Sequence, residues 1–283
     1  ANAAATTTQA TGWSQEVESE TTLSSGGLGV GKPQVGPLTV ELPLSSYVFR
    51  LLQPLNAGVH LPQVSVEMCL PTQAAGACLM QVDLEDAAVS LMDYSESGTA
   101  ASEATAKIAF NPASETLTSR TATGERSVTY NLGLAQITRQ GPATGAPAGD
   151  LTYVTTLSGG TGLDTQTWSH HIETPVASTS GGPIVGKTVH QPVTAAIRSG
   201  EGTVELLWWL LRGLSPGSVQ ITGCSADPCT QTLTLGRAFV TKVTMGSPLL
   251  TDTDTFAYST IQWNRTDDQG QARTSWDLLQ NRL

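Results

Sequence analysis

Apolar and polar residues alternate at two places early in the chain. Leu38, Val40 and Leu42 share one face of an extended segment, and Val64, Val66 and Met68 share one face of another. Alternation with a period of two predicts half-buried β-strands. Between them, residues 46–56 switch to helical spacing with Leu51, Leu52 and Leu55 on the inner side. Residues 202–211 do the same later with Leu206, Leu207 and Leu210. Gly58 and Gly213 stand where these short helices should stop, because glycine accepts the left-handed backbone of a C′ residue. Residues 83–91 and 103–111 read as a second antiparallel pair. The expected fold class is all-β with one short helix per repeat.

The helices come in matching positions because the chain resembles itself. At a shift of 155 residues, 17 of the 57 positions from Trp13 to Cys69 are identical without a gap, among them Trp13 with Trp168, Lys32 with Lys187 and Cys69 with Cys224. A period this long is not a solenoid unit, so it predicts a duplicated domain. Beyond Cys69 the register slips by a few residues. Cys78 falls on Cys229, residues 87–89 on 238–240, residues 108–111 on 261–264, and residues 129–132 on 275–278. The expected organisation is a first barrel over residues 1–140, a Gly/Pro/Ala linker over 141–149 and a second barrel over 150–283. Repeat two has an extra opening strand, 151–157, with no counterpart in repeat one. The open edge this leaves in repeat one invites a strand from another chain, such as an N-terminal arm.

Composition narrows the function. Charged residues make up 13% of the 283 positions, about half the usual share of roughly 25%. The net charge of −10 opposes binding to nucleic acid or to an anionic membrane surface. The longest apolar run, 204–211, is interrupted by Glu205, far short of the roughly 20 residues a spanning helix needs. The four cysteines form two close pairs, Cys69 with Cys78 and Cys224 with Cys229, each bracketing turn residues. Disulfides across hairpin ends are the better reading, with zinc as the alternative. Disulfides imply an oxidising compartment. With the small-residue start at Ala1, they support export after signal-peptide removal and a secreted or surface location.

Chemistry is sparse. None of His60, His170, His171 and His190 recurs in the other repeat, and His170 and His171 face opposite ways on a strand. The carboxylates Glu16, Glu18 and Glu20, Asp83, Glu85 and Asp86, and Asp252 and Asp254 read as solvated faces, although paired acids could serve a glycosidase or a calcium site. No nucleophile elbow or phosphate loop is present. No catalytic residue, metal or cofactor is expected. Trp208 and Trp209 could form a ligand-stacking platform, but core or subunit packing is the better reading. Trp13, Trp168, Trp263 and Trp276 are the other core or assembly candidates.

The ordered series Trp168-Ser169-His170, Gly186-Lys187, His190 to Thr194, Leu206-Leu207, Ile261-Gln262-Trp263, and Ser275-Trp276-Asp277-Leu278 with Asn281 resembles the haemolysin-coregulated tube protein family of type VI secretion. Repeat one follows the same order through Gly31-Lys32, Pro37-Leu38-Thr39, Leu51-Leu52 and residues 108–111. The resemblance implies two tandem antiparallel β-barrels of tube-protein type and no enzymatic activity. It also implies a homo-oligomeric structural role, with three chains forming a pseudo-hexameric ring and rings stacking into a tube or filament. The usual family members are single domains mostly without paired cysteines, so the duplication and the cysteines depart from the pattern. The competing readings are a secreted carbohydrate- or surface-binding β-sandwich module and a secreted hydrolase using Asp252 or Asp254.

Overall fold

The computed structural model describes residues 7–24, 27–44, 46–69, 78–95, 104–121, 124–141, 153–158, 161–179, 182–223, 230–246, 251–267 and 270–280. In chain order the first series is β1 (Gly12–Glu18), β2 (Thr21–Ser24), β3 (Gly27–Val30), β4 (Gln34–Val35), β5 (Leu38–Pro43), α1 (Ser46–Arg50), α2 (Leu52–Ala57), β6 (Leu61–Met68), β7 (Met80–Ser95), β8 (Thr105–Asn111), β9 (Ser114–Thr121), β10 (Gly124–Asn131) and β11 (Gln136–Gln140). The second series is β12 (Tyr153–Leu157), β13 (Thr161–Ser169), β14 (Ile172–Glu173), β15 (Val176–Thr179), β16 (Gly182–Val185), β17 (Val189–His190), β18 (Val193–Arg198), α3 (Glu201–Arg212), β19 (Gly217–Gly223), β20 (Gln231–Gly246), β21 (Thr251–Ala257), β22 (Thr260–Asp267) and β23 (Gly270–Asp277). The architecture is all-β and antiparallel, and among the described residues helix occurs at one place in each series.

The second series repeats the first. At a shift of 155, β2, β3, β4 and β5 coincide end for end with β15, β16, β17 and β18, and α1 with α2 covers the span of α3. The 16-residue strands β7 and β20 coincide at a shift of 151. Each carries one non-glycine residue in left-handed backbone at the same place, Asp86 at φ 50° and Arg237 at φ 49°. Single hydrogen bonds recur too. Gly31 N–H donates to the Glu20 carbonyl and Gly186 N–H to the Pro175 carbonyl, both at 2.7 Å. Leu132 N–H to Ala113 and Leu278 N–H to Ser259 are both 2.9 Å.

One expected match is corrected by strand register. Residues 108–111 do not correspond to 261–264. On β5 and β8 Leu38 faces Phe110, and on β18 and β21 Val193 faces Phe256. β8, β9 and β10 therefore correspond to β21, β22 and β23 at a shift of 146.

Packing divides the chain into two units: residues 1–16, 35–141 and 244–250 form unit 1, and residues 17–34, 142–243 and 251–283 form unit 2. In unit 1, β5 pairs with β1 and β8, β8 with β7, and β7 with β6. The first half of β7 also pairs with β9, which continues to β10 and β11. Leu38, Val82, Leu84, Ile108, Leu117 and Val128 fill its core at 0–1% exposure.

The helix of unit 1 breaks at Leu51, between α1 and α2, where the expected helix ran unbroken. Pro54 explains this: it has no N–H to give the Arg50 carbonyl, and its ring crowds that turn. Of the three leucines expected to face the core there, Leu51 is buried while Leu52 and Leu55 are only half-buried.

In unit 2, β12 pairs with β13 and with β19, β13 with β18, β18 with β21, and β19 with β20. β20 lies next to β21, which closes the barrel. Here the 12-residue α3 is continuous, and Leu206, Leu207 and Leu210 are at most 1% exposed. Gly213 ends it at φ 59°, as Gly58 ends α2 at φ 61°. β12 is the extra strand expected over 151–157. Beside it, Val219 and Ile221 of β19 are 0% and 1% exposed. The corresponding Val64 and Val66 of β6 stay half-exposed. Residues 1–6, where an N-terminal arm would begin, and most of the expected linker lie outside the described residues.

Candidate assembly surfaces

The first surface begins in β1, whose alternation puts Trp13, Gln15 and Val17 on one buried face. In unit 1 the Gln15 amide donates to the Glu115 carboxylate at 2.7 Å and approaches the Tyr130 hydroxyl at 3.3 Å. Burial lifts Glu115 to about 7 against the hydrogen bonds from Tyr130 and Gln15, because a charge without water is costly. Glu16 accepts from Thr244 at 3.4 Å.

In unit 2 the next residues of the same segment are seated against β20. Ser19 N–H donates to the Thr241 carbonyl at 2.8 Å, and Lys242 lies 3.7 Å from Glu18. Val17 and Val243 are both 0% exposed, each contributing about 2 kcal/mol by leaving water. The hairpin of β2 and β3 then lines a shallow pocket of about 160 Å³ through Thr21, Leu23 and Leu28, opposite His190, Pro192, Tyr258 and Leu278.

Behind that pocket lies an aromatic cluster that the sequence did not reveal. The His170 Nε2 and the Tyr258 hydroxyl are 2.6 Å apart. The His170 ring stacks on His190, and His190 stacks on Trp276, at 5.5 and 5.3 Å. Trp263 closes the group 5.6 Å from His170. Burial first, then the neighbouring His190, pushes His170 down to about 4, and burial also lowers His190. Both rings are therefore neutral at pH 7 and stack without repulsion. The signal was faint because these residues converge from just past the ends of β13 and β21 and from β17, β22 and β23, and neither histidine recurs in repeat one.

The remaining candidates fall as follows. Trp13 is 8% exposed, and Trp168, Trp208, Trp209, Trp263 and Trp276 are half-buried. Trp208 and Trp209 are occupied within unit 2, since Arg212 stacks on Trp208 at 5.0 Å and Trp209 Nε1 donates to Glu205 at 2.9 Å. Cys69 and Cys78 are joined as a disulfide. Their sulfurs are thus consumed, and the carboxylate of Glu67 beside them gains no thiolate partners for a metal. Cys224 and Cys229 lie outside the described residues.

The reading of Asp252 and Asp254 as a solvated face is overturned. They are 1% and 0% exposed, because β21 is a central barrel strand and both point inward. Asp252 accepts from Ser199 and from Thr203 at the start of α3; burial still lifts it to about 6. Asp254 is raised further by burial and by Asp252. Asp86 stays exposed and pairs with His60 at 3.0 Å. Among the described residues, no helix is long and apolar enough to cross a membrane.

Residues 3–119 match the family model described as type VI secretion system effector, Hcp. No curated protein sequence matches. Among solved structures, a type VI secretion system effector from Yersinia pestis is 15% identical, covers 44% of this chain and 98% of its own, and gives a TM-score of 0.36. Hcp2 from Salmonella typhimurium is 8% identical over 46% of this chain and 98% of its own, with a TM-score of 0.37. Hcp1 from Flavobacterium johnsoniae is 15% identical over 45% of this chain and 99% of its own, at 0.34. By sequence, then, the chain is similar to Hcp over residues 3–119.

Proposed function

We propose that the chain is a structural subunit in which an ancestral ring-forming barrel has been fused to its own copy. The boundaries of the fused barrels are residues 1–140 and 150–283, joined by 141–149. Chains associate head to tail, and three of them supply the six barrels of a pseudo-hexameric ring. Rings stack into a tube or filament outside the cell, reached by export.

The observation supporting this most strongly is the recurrence of φ angles and single hydrogen bonds at matched positions, Asp86 with Arg237 and Gly31 with Gly186. Two barrels that still share such detail can share a docking mode. A heterologous interface repeated by rotation closes into a ring. Trp13, Trp168, Trp208, Trp209, Trp263 and Trp276 act as packing anchors, not as a ligand platform. The disulfide suits the oxidising exterior.

Light scattering on purified protein, coupled to size-exclusion chromatography, tests the reading. Assemblies at multiples of the 29.5 kDa chain are expected. A lone 29.5 kDa particle at every concentration would remove the structural role.

A further inference from the structure

Within unit 2, the segment of repeat one that runs on from Val17 is seated beside the end of β20 (Thr241, Lys242, Val243). The repeat relation identifies the counterparts of both sides. A shift of 155 takes Val17 and Ser19 to Ile172 and Thr174; a shift of 151 takes Ser90, Leu91 and Met92 to Thr241, Lys242 and Val243. Ile172 for Val17, Thr174 for Ser19, Ser90 for Thr241 and Met92 for Val243 keep the chemistry, Leu91 replaces Lys242, and the cover differs. Val17 is 0% exposed, and Ile172 is 46% exposed. Ser19 and Thr241 are 7% and 6% exposed, whereas Thr174 and Ser90 are both exposed. Val243 is 0% exposed, Met92 half-exposed, and Leu91 51% exposed. Leu132, the counterpart of Leu278 in the pocket beneath the β2–β3 hairpin, is 44% exposed.

We infer that a second copy of this chain covers these surfaces: the segment beginning at Ile172 in one molecule docks on the β7 end at Ser90–Asp93 of the next, in the register that Val17 and Ser19 adopt on β20. The inference rests on the ring reading above and names its contact. Polar partners agree with that occupant. Thr244 donates to Glu16 in the seated copy. The counterparts of these two are Asp93 and His171, an acceptor facing an imidazole that can donate to it. Glu18 and Lys242, an ion pair in the seated copy, become Glu173 and Leu91, so that ion pair has no counterpart, and Glu173 instead lies 3.6 Å from His171 of its own chain. Each molecule then offers one donor segment and one acceptor edge, which is the requirement for head-to-tail closure.

Two exposed substitutions test it, Leu91→Asp and Ile172→Asp. Each variant alone should lose assembly and run as a 29.5 kDa chain. Mixed in equal amounts, they retain one intact interface, the Ile172 side of the first variant against the Leu91 side of the second. They should therefore form a two-chain particle and nothing larger. Variants that assemble as the native chain does would overturn the contact while leaving the ring reading in place. A native chain that never assembles would overturn the ring reading itself. Should either aspartate variant fail to fold, chains carrying Ser90→Cys and Thr174→Cys supply a second measurement. A disulfide-linked two-chain band under oxidising conditions supports the register, and its absence in assembled protein refutes it.

Discussion

At the residue scale the buried acids set how stability depends on pH. An acid whose pKa rises on folding holds its proton more tightly in the folded chain. Its contribution is then full below its ordinary value and is lost as pH climbs through the folded value. For Glu115 that window runs from 4.5 to about 7, a difference of about 3 kcal/mol. Glu115→Gln keeps an acceptor for Gln15 but cannot ionise. It should melt higher than the native chain at pH 8 and no higher at pH 4, measured by calorimetry across that range. Asp254 carries the same sign from 3.8 upward, and neither of its oxygens has a partner among the described residues. Asp254→Asn should flatten the fall in melting temperature between pH 4 and pH 8; an unchanged slope would show that Asp254 does not titrate in the core. His170 has the opposite sign, since a base lowered from 6.5 to about 4 costs stability as pH falls through that interval.

At the element scale the two helices show how one residue changes a shared plan. α3 has Trp209 where the first series has Pro54, and it forms one continuous helix. Pro54→Ala restores the N–H that the Arg50 carbonyl lacks. It should join α1 to α2 and stabilise the chain by about 1–3 kcal/mol. A rise in helical circular dichroism with a higher melting temperature checks this; no gain in either would place the cause of the break elsewhere.

β5 and β6 were legible because alternation and a constant shift of 155 coincide there, whereas β1 to β4 carried no such alternation. β5 and β18, and the C′ glycines Gly58 and Gly213, sit where the pattern put them. The later strands were harder to place because alternating strands resemble one another locally. Only the pairing of Leu38 with Phe110 and Val193 with Phe256 separates β21 from β22 as the partner of β8. The burial of Asp252 and Asp254 was hidden for a related reason: carboxylates in a Thr-rich strand look solvated until the barrel closes around them.

At the scale of the whole molecule, most of the candidate assembly surface was not legible. Val17 and Ser19 belong by sequence to the first repeat, yet residues 17–34 pack in unit 2. No local pattern reports that, since β1 reads as one continuous strand. What the sequence did carry was the repeat itself, and the repeat is what turns an exposed Ile172 and Leu91 into halves of one contact. The same relation makes the chain polar, with a donor segment in one unit and an acceptor edge in the other, which suits a closed ring better than a two-fold dimer.

Negative-stain electron microscopy of the purified chain tests the central claim most directly. The account predicts rings of six similar lobes with three-fold symmetry, alone or stacked end to end. Fields of separate two-lobed particles, unchanged at high protein concentration, would contradict it.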